Sequence, residues 1–192
     1  MLVGLTGEIG SGKSTVAEMF GKYDDVLLHI TDGLAKKAIS TPDGQNFIKG
    51  RFGEQYIVDG SVDYSALGKL VFSNEQDLMD LEAYSHPIVE SWVKKNCKPS
   101  KINIIETAIL FEKGWDSWMD SIIYVTCHPI ERKQRLLERG MTEEDIQARQ
   151  KFQVSVTPST KIKKSAYHID NTLGLDVLAR RVEKIMADLK GE

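Results

Sequence analysis

Cysteine is scarce in this sequence: Cys97 and Cys127 are the only two among 192 residues. They share no Cys-x-x-Cys spacing, and no histidine cluster stands beside either, so a disulfide scaffold and a metal role are set aside and both thiols are read as reduced, in a cytoplasmic protein. Long apolar runs are also missing. The longest, residues 102–105 and 122–125, have the length of strands and fall far short of a bilayer span. The opening Met1-Leu2-Val3-Gly4 has no basic segment and no cleavage pattern, so no processed leader is expected. Neither sign of charge prevails. A formal net charge of -3 gives no electrostatic footprint for nucleic acid or an anionic membrane, although a local cationic pocket needs only a few residues. No internal repeat, heptad run or low-complexity stretch is present.

What is there belongs to an ordinary globular protein. A hydrophobic share of 41% and a charged share of 28% suit one well-buried core, and the chain length allows that core plus an appended lobe. Short apolar runs alternate with helical stretches, the pattern of an α/β fold with a parallel sheet. The strands are placed at residues 2–6, 26–30, 101–107, 121–126 and 167–169. They are apolar throughout rather than alternating, as strands covered on both faces are. The core is expected over about 1–31, 100–138 and 165–192. Residues 32–99 are too long for one crossover and read as a helical acceptor lobe without strands, its last helix, over 74–96, interrupted at His86-Pro87. Residues 139–164 read as a mobile lid of helix, turn and exposed loop. Residues 173–190 read as an amphipathic helix with Leu175, Leu178, Val182, Ile185, Met186 and Leu189 on the face that packs on the sheet.

The most specific signal is Gly7-Glu8-Ile9-Gly10-Ser11-Gly12-Lys13-Ser14, a complete G-x-x-x-x-G-K-[ST] between a strand that ends at Thr6 and a helix that begins near Lys13. Each residue type has a physical reason. Gly7, Gly10 and Gly12 let the backbone curl and turn consecutive N–H groups toward an anion. The helix N-terminus adds partial positive charge at the same point. Lys13 supplies a mobile cation for the β- and γ-phosphates of ATP, and Ser14 a hydroxyl for Mg²⁺.

This phosphate loop serves small-molecule kinases, GTP switches and mechanical ATPases. A GTP switch needs Asn-Lys-x-Asp, which is absent. A mechanical ATPase carries an apolar strand ending in Asp or Asp-Glu, and the nearest run, residues 102–106, ends in a lone Glu. A kinase needs a carboxylate beside the acceptor hydroxyl, an acceptor lobe, and cations that close over the transferring group. Asp32, directly after the second strand, is the candidate carboxylate and general base; Thr31-Asp32 is equally a helix-cap signal, and local sequence leaves the two readings open. The candidate cations are Arg132, Arg135, Arg139 and Arg149, with Arg135 and Arg139 four apart on one helix face. Lys161 and Lys163 are either solvated loop charges or anion-binding residues.

These residues closely resemble the dephospho-coenzyme A kinase family, through nearly the whole chain. The resemblance is carried by residues 5–17, Asp32, Phe52-Gly53, Asp59-Gly60, His86-Pro87, Leu110-Phe111-Glu112, Arg135, Arg139, Arg149, Gln153 and Ile169-Asp170-Asn171. His86-Pro87 together with Leu110-Phe111-Glu112 is far more specific than the phosphate loop. The resemblance implies a three-layer P-loop kinase fold: a five-stranded parallel sheet with a helical acceptor lobe and a lid. It implies ATP and Mg²⁺ as cofactors and dephospho-coenzyme A as substrate, phosphorylated at the ribose 3′-hydroxyl. It makes Asp32, Lys13 and Arg139 catalytic. Gly7, Glu8, Ile9, Gly10, Ser11, Gly12, Lys13, Ser14, Thr15, Arg135, Arg139 and Asn171 would bind nucleotide, with Ser14 on the metal. Asp32, His86, Leu110, Arg149 and Lys161 would bind the acceptor. Partners other than the small molecule, whether nucleic acid or membrane, are not expected, and the chain is read as a monomer.

The sequence departs from the family pattern at Glu8, where a second Gly is usual, and at Ile30, Tyr64, Glu106, Ala108 and Tyr167. The phosphate machinery is untouched; several departures fall where the acceptor binds. A kinase for another small acceptor, such as a nucleoside monophosphate, and a non-catalytic protein that binds nucleotide or coenzyme A are the alternatives.

Overall fold

Five apolar runs of the sequence become the five strands of one parallel sheet. The computed structural model describes residues 1–153 and 155–192; Val154, inside the segment read as a lid, lies outside the described residues. In chain order the elements are β1 (Leu2–Gly7), α1 (Lys13–Phe20), β2 (Val26–Ile30), α2 (Thr31–Ser40), α3 (Pro42–Phe52), β3 (Ile57–Val58), β4 (Ser61–Val62), α4 (Tyr64–Ser73), α5 (Glu75–Asn96), β5 (Ile102–Glu106), β6 (Ser121–Thr126), α6 (Pro129–Glu138), α7 (Glu143–Lys151), α8 (Pro158–Lys164), β7 (Tyr167–Asp170) and α9 (Leu175–Lys190). The chain packs as two compact units, residues 1–29 with 97–192, and residues 30–96.

In the first unit the sheet order is β2-β5-β1-β6-β7. β1 lies between β5 and β6, with Gly4 opposite Ile105 on one side and Ile122 on the other. Both faces of β1 are covered, which is why it reads as a continuous apolar run. On one face Val3, Leu5, Ile104, Ile123, Val125 and Ile169 pack with Val16, Ala17 and Phe20 of α1 and Leu178, Val182, Ile185, Met186 and Leu189 of α9. Burying each large side chain of this cluster stabilises the fold by about 1.5–3 kcal/mol. Leu175, expected on that face, is instead 64% exposed, because the helix begins there and its first turn overhangs the sheet. On the other face Leu110 is fully buried; a side-chain carbon at Gly4 would collide with it. α8 packs against β6 on this unit.

The lid segment also differs from expectation. Residues 158–164 form a helix rather than an exposed loop, because Thr157 caps it by accepting from Thr160 N–H and Pro158 starts it, the position where a missing N–H costs nothing.

In the second unit, α2 to α5 surround a short hairpin. The reading of this stretch as free of strands is corrected: β3 and β4 pair antiparallel, with Ile57 opposite Val62. Their turn, Asp59-Gly60, has positive φ at both residues (49° and 74°), the backbone that a two-residue hairpin of matching twist requires. The interruption expected at His86-Pro87 is also corrected. α5 runs through Pro87 over 22 residues and buries Leu78, Ser85, Val89 and Val93 on one side. Asp77 is buried on the same helix and bonded to Arg51 at 2.6 Å. Among the described residues no helix is long and apolar enough to cross a membrane.

Candidate active site

β1 ends at Gly7 and α1 begins at Lys13, so residues 8–12 must reverse direction within a few bonds. Gly10 (φ 81°) and Gly12 (φ 94°) take left-handed backbone conformations to do so. The turn is closed by Ser11 N–H donating to Glu8 C=O at 3.0 Å. Gly12 is the N-cap of α1 and brings no capping side chain, so the first-turn amides of α1 meet no side-chain oxygen from the cap. Such an N-terminus is built for an anion. Lys13 is buried to 8% exposure, its Nζ 3.2 Å from Glu8 C=O. Ser11 Oγ is buried with no hydrogen-bond partner among the described residues. Ser14 stands exposed on the first turn.

Beside this loop lies a cleft of about 220 Å³ that brings together Gly12, Thr15, Arg135, Arg139 and Asn171 from the sequence reading, joined by Gly174 and Leu175. Gly174 and Leu175 carry no motif; only their closeness to Asn171 in the chain could have flagged them. Asn171 fixes the loop: its Nδ2 donates to Ser11 C=O at 2.9 Å, and its own C=O accepts from Arg135 Nη2 at 3.1 Å. Arg139 caps the C-terminal end of α6 and is exposed.

Glu8 and Arg132 were not expected to meet. They form an ion pair that ties the phosphate loop to α6. Burial pulls the Arg132 guanidinium below its ordinary range.

The far side of the loop is held by Gln153, whose Oε1 accepts from Ile9 N–H at 2.9 Å and whose Nε2 donates to Ala108 C=O at 2.9 Å. Lys161 is not a solvated loop charge. It is 4% exposed, ion-paired with Glu112, and donates to Gln153 C=O at 2.9 Å. Glu112 Oε2 and Tyr124 Oη are both buried without a hydrogen-bond partner among the described residues. Burial, with the Glu112 charge as the smaller cause, pushes the Tyr124 phenol up to about 12. Leu110 is closed off beneath β1, so its side chain packs rather than lines a pocket. Arg149 is half-buried on α7.

Asp32 and His86 belong to the second unit. α2 begins at Thr31, its N-cap is Ile30, and no side chain caps it. Asp32 therefore sits inside the first turn, exposed, and the capping alternative is overturned. His86 is half-buried on α5 with Nε2 4.0 Å from Glu82. Tyr64 donates its hydroxyl to Lys36 C=O at 3.1 Å, with the Lys36 ammonium over its ring.

Gly12 gives a direct test of the cradle. A Cβ there would meet the Asn171 amide and sit on a backbone with φ of 94°. Gly12→Ala is expected to weaken ADP binding by roughly 10-fold or more, about 1.4 kcal/mol, as measured by calorimetry. Unchanged affinity would mean that the loop can be reshaped without loss.

A family model described as dephospho-CoA kinase matches residues 1–176. The dephospho-CoA kinase of Thermus thermophilus is 32% identical over 194 residues, spanning 100% of this chain and 93% of that protein. The dephospho-CoA kinase of Aquifex aeolicus is 33% identical over 200 residues, spanning 97% and 96%. Among solved structures, the crystal structure of TT1252 from Thermus thermophilus matches with a TM-score of 0.79 at 31% identity, covering 98% of this chain and 97% of that one.

Proposed function

The chain belongs to the dephospho-CoA kinase family, and from that membership we propose that it transfers the γ-phosphoryl group of ATP to the ribose 3′-hydroxyl of dephospho-coenzyme A, giving coenzyme A and ADP. The observation that carries the chemistry is the convergence of Gly12, Thr15, Arg135, Arg139 and Asn171 on one cleft beside the capless N-terminus of α1. The acceptor comes from the family.

The residues present fit a nucleotide with its metal. The left-handed glycines shape a cradle, Ser11 keeps an unmatched buried hydroxyl inside it, and the Ser14 hydroxyl stands exposed at its rim. Mg²⁺ would be held by Ser14 and the phosphates, where it neutralises charge on the β- and γ-oxygens. Such a site needs no cluster of protein carboxylates or imidazoles, and no such cluster of three or more is found among the described residues.

In the reaction we assign, Asp32 accepts the proton of the 3′-hydroxyl. The acceptor oxygen forms its bond to the γ-phosphorus, and the bond from that phosphorus to the β,γ-bridging oxygen breaks, its electron pair leaving with ADP. Lys13, released from Glu8 C=O, follows the γ-phosphoryl charge, and Arg139 closes over it. Arg135 and Asn171 hold the nucleotide side of the cleft. His86 and Arg149 are assigned to the acceptor. Lys161, buried against Glu112, supports the site through Gln153 rather than by touching the acceptor. Cytoplasmic residence, supported by the two free thiols, and a monomeric state complete the proposal.

The test is product identity. With ATP, MgCl₂ and dephospho-coenzyme A, mass spectrometry should show one added phosphoryl group, a 3′-specific phosphatase should remove it, and ADP should appear in equal amount. Lys13→Ala should lower this rate by roughly 10²-fold or more. Phosphorylation of a nucleoside monophosphate but not of dephospho-coenzyme A would overturn the acceptor assignment. Binding of both ligands without product would overturn the enzyme.

A further inference from the structure

Gln153 is held from three sides, accepting in two of the contacts and donating in the third. Its side-chain oxygen takes the Ile9 amide of the phosphate loop, its side-chain nitrogen gives to the Ala108 carbonyl after β5, and its main-chain carbonyl takes Lys161 of α8. The first neighbour can only donate and the second can only accept, so the amide has one permitted orientation. Few side chains satisfy both at this length. Glutamate would set a carboxylate oxygen against a carbonyl, methionine satisfies neither neighbour, and asparagine is a methylene short. Lys161 is itself fixed by Glu112, so Gln153 is anchored to α8 beside the loop.

From this we infer that Gln153 is a positioning residue for phosphoryl transfer: it commits the Ile9 amide to the protein, sets the curvature of the phosphate loop, and links α8, through Lys161, to that curvature. The inference rests on the kinase reading and goes beyond it, because Gln153 acts without touching ATP or the acceptor. Loss of the bridge leaves the loop free to rearrange around Glu8 and Ile9. Misplacing a phosphate cradle by about 1 Å costs up to roughly 10²-fold in rate.

The experiment compares the parent with Gln153→Met and Gln153→Glu in the full chain. Gln153→Met is expected to keep a cooperative melt, speed hydrogen exchange of the Ile9 amide as read by NMR, weaken ADP binding, and lower kcat/KM for ATP by roughly 10- to 100-fold. Gln153→Glu keeps the length and the acceptor for Ile9. Its carboxyl, when protonated, presents the same donor–acceptor pair as the amide. Its activity relative to the parent should therefore rise from pH 8 to pH 6. The charged groups linked to this position are Glu8 with Arg132, and Lys161 with Glu112; both pairs are present in parent and variant, so the ratio isolates the new carboxyl. If Gln153→Met fails to fold, the Gln153→Glu pH ratio and its Ile9 exchange decide.

A purely structural role would lower the melting temperature but leave kcat/KM and Ile9 exchange of the folded protein unchanged, and that result overturns the inference. So does a flat Gln153→Glu ratio with Ile9 exchange at the parent rate. Parent turnover of dephospho-coenzyme A is measured alongside. Its absence would count against the kinase reading, while the Ile9 exchange and ADP affinity would still report on Gln153.

Discussion

Replacing Asp32 by Asn is expected to lower kcat by roughly 10²-fold or more while leaving the melting temperature close to that of the parent. The two halves of this expectation come from different observations. The large kinetic effect follows from assigning Asp32 the proton of the attacking hydroxyl: an amide of the same shape can still hydrogen-bond but cannot take a proton. The small stability effect follows from the helix. α2 starts one residue before Asp32, and its N-cap is Ile30, whose side chain accepts nothing from the first amides. Asp32 is exposed in the first turn and contributes only an attraction to the helix dipole, part of which Asn retains. Had Asp32 been the cap, Asp32→Ala would have destabilised the protein by about 1 kcal/mol, whereas Asn caps a helix as well as Asp. Melting curves of the Ala and Asn variants, measured together with kcat, separate these cases. A rate near that of the parent would remove Asp32 from proton transfer. A normal KM for ATP alongside a low kcat would place its action in the chemical step rather than in nucleotide binding.

The parts of this molecule that were legible in the sequence are those in which one physical signal is local and strong. β1, the phosphate loop and α1 are adjacent in the chain, and buried parallel strands announce themselves as unbroken apolar runs, so the sheet and the cradle could be placed directly. Asn171 and Arg135 are legible as separate motif residues, but that Arg135 donates to Asn171 C=O and that Asn171 in turn holds Ser11 is not. Features that depend on partners far along the chain were not legible. Lys161 lies in a Ser/Thr/Pro/Lys stretch that looks solvated, and its burial is set by Glu112, 49 residues away. Glu8 reads in the sequence only as a departure from the family pattern, because its partner Arg132 lies far along the chain. Two errors had readable remedies. Thr157-Pro158 is a start signal for α8. Asp59-Gly60 is a hairpin turn even when the strands beside it have only two residues each. Pro87 misled for another reason: in a long helix packed along one side, tertiary contacts outweigh the loss of one backbone hydrogen bond.

The buried Glu112–Lys161 pair leads to the largest expected effect on stability. Both side chains are nearly closed off, at 6% and 5% exposure. Taking two charges out of water costs several kcal/mol each, and their mutual attraction offsets that cost only while both are present. Glu112→Ala leaves an ammonium buried against Gln153 C=O, and Lys161→Ala leaves a carboxylate whose other oxygen has no hydrogen-bond partner among the described residues. Each single replacement is expected to destabilise by about 3–5 kcal/mol. For a chain of this size that corresponds to a fall in melting temperature of roughly 6–20 °C. The double replacement Glu112→Met with Lys161→Met removes both charges and fills the space with apolar atoms, so its stability should return to that of the parent or exceed it. Its activity should not return fully, because the tie from Lys161 to Gln153 is gone and the Gln153 side chain must hold Ile9 without that support. Thermal melts of the two single variants and the double, with kcat for ATP measured on each at a temperature where all are folded, test both statements. Single variants that melt with the parent would show that the pair is solvated, and a double variant as damaged as the singles would show that the packing around it, rather than the uncompensated charge, sets the cost.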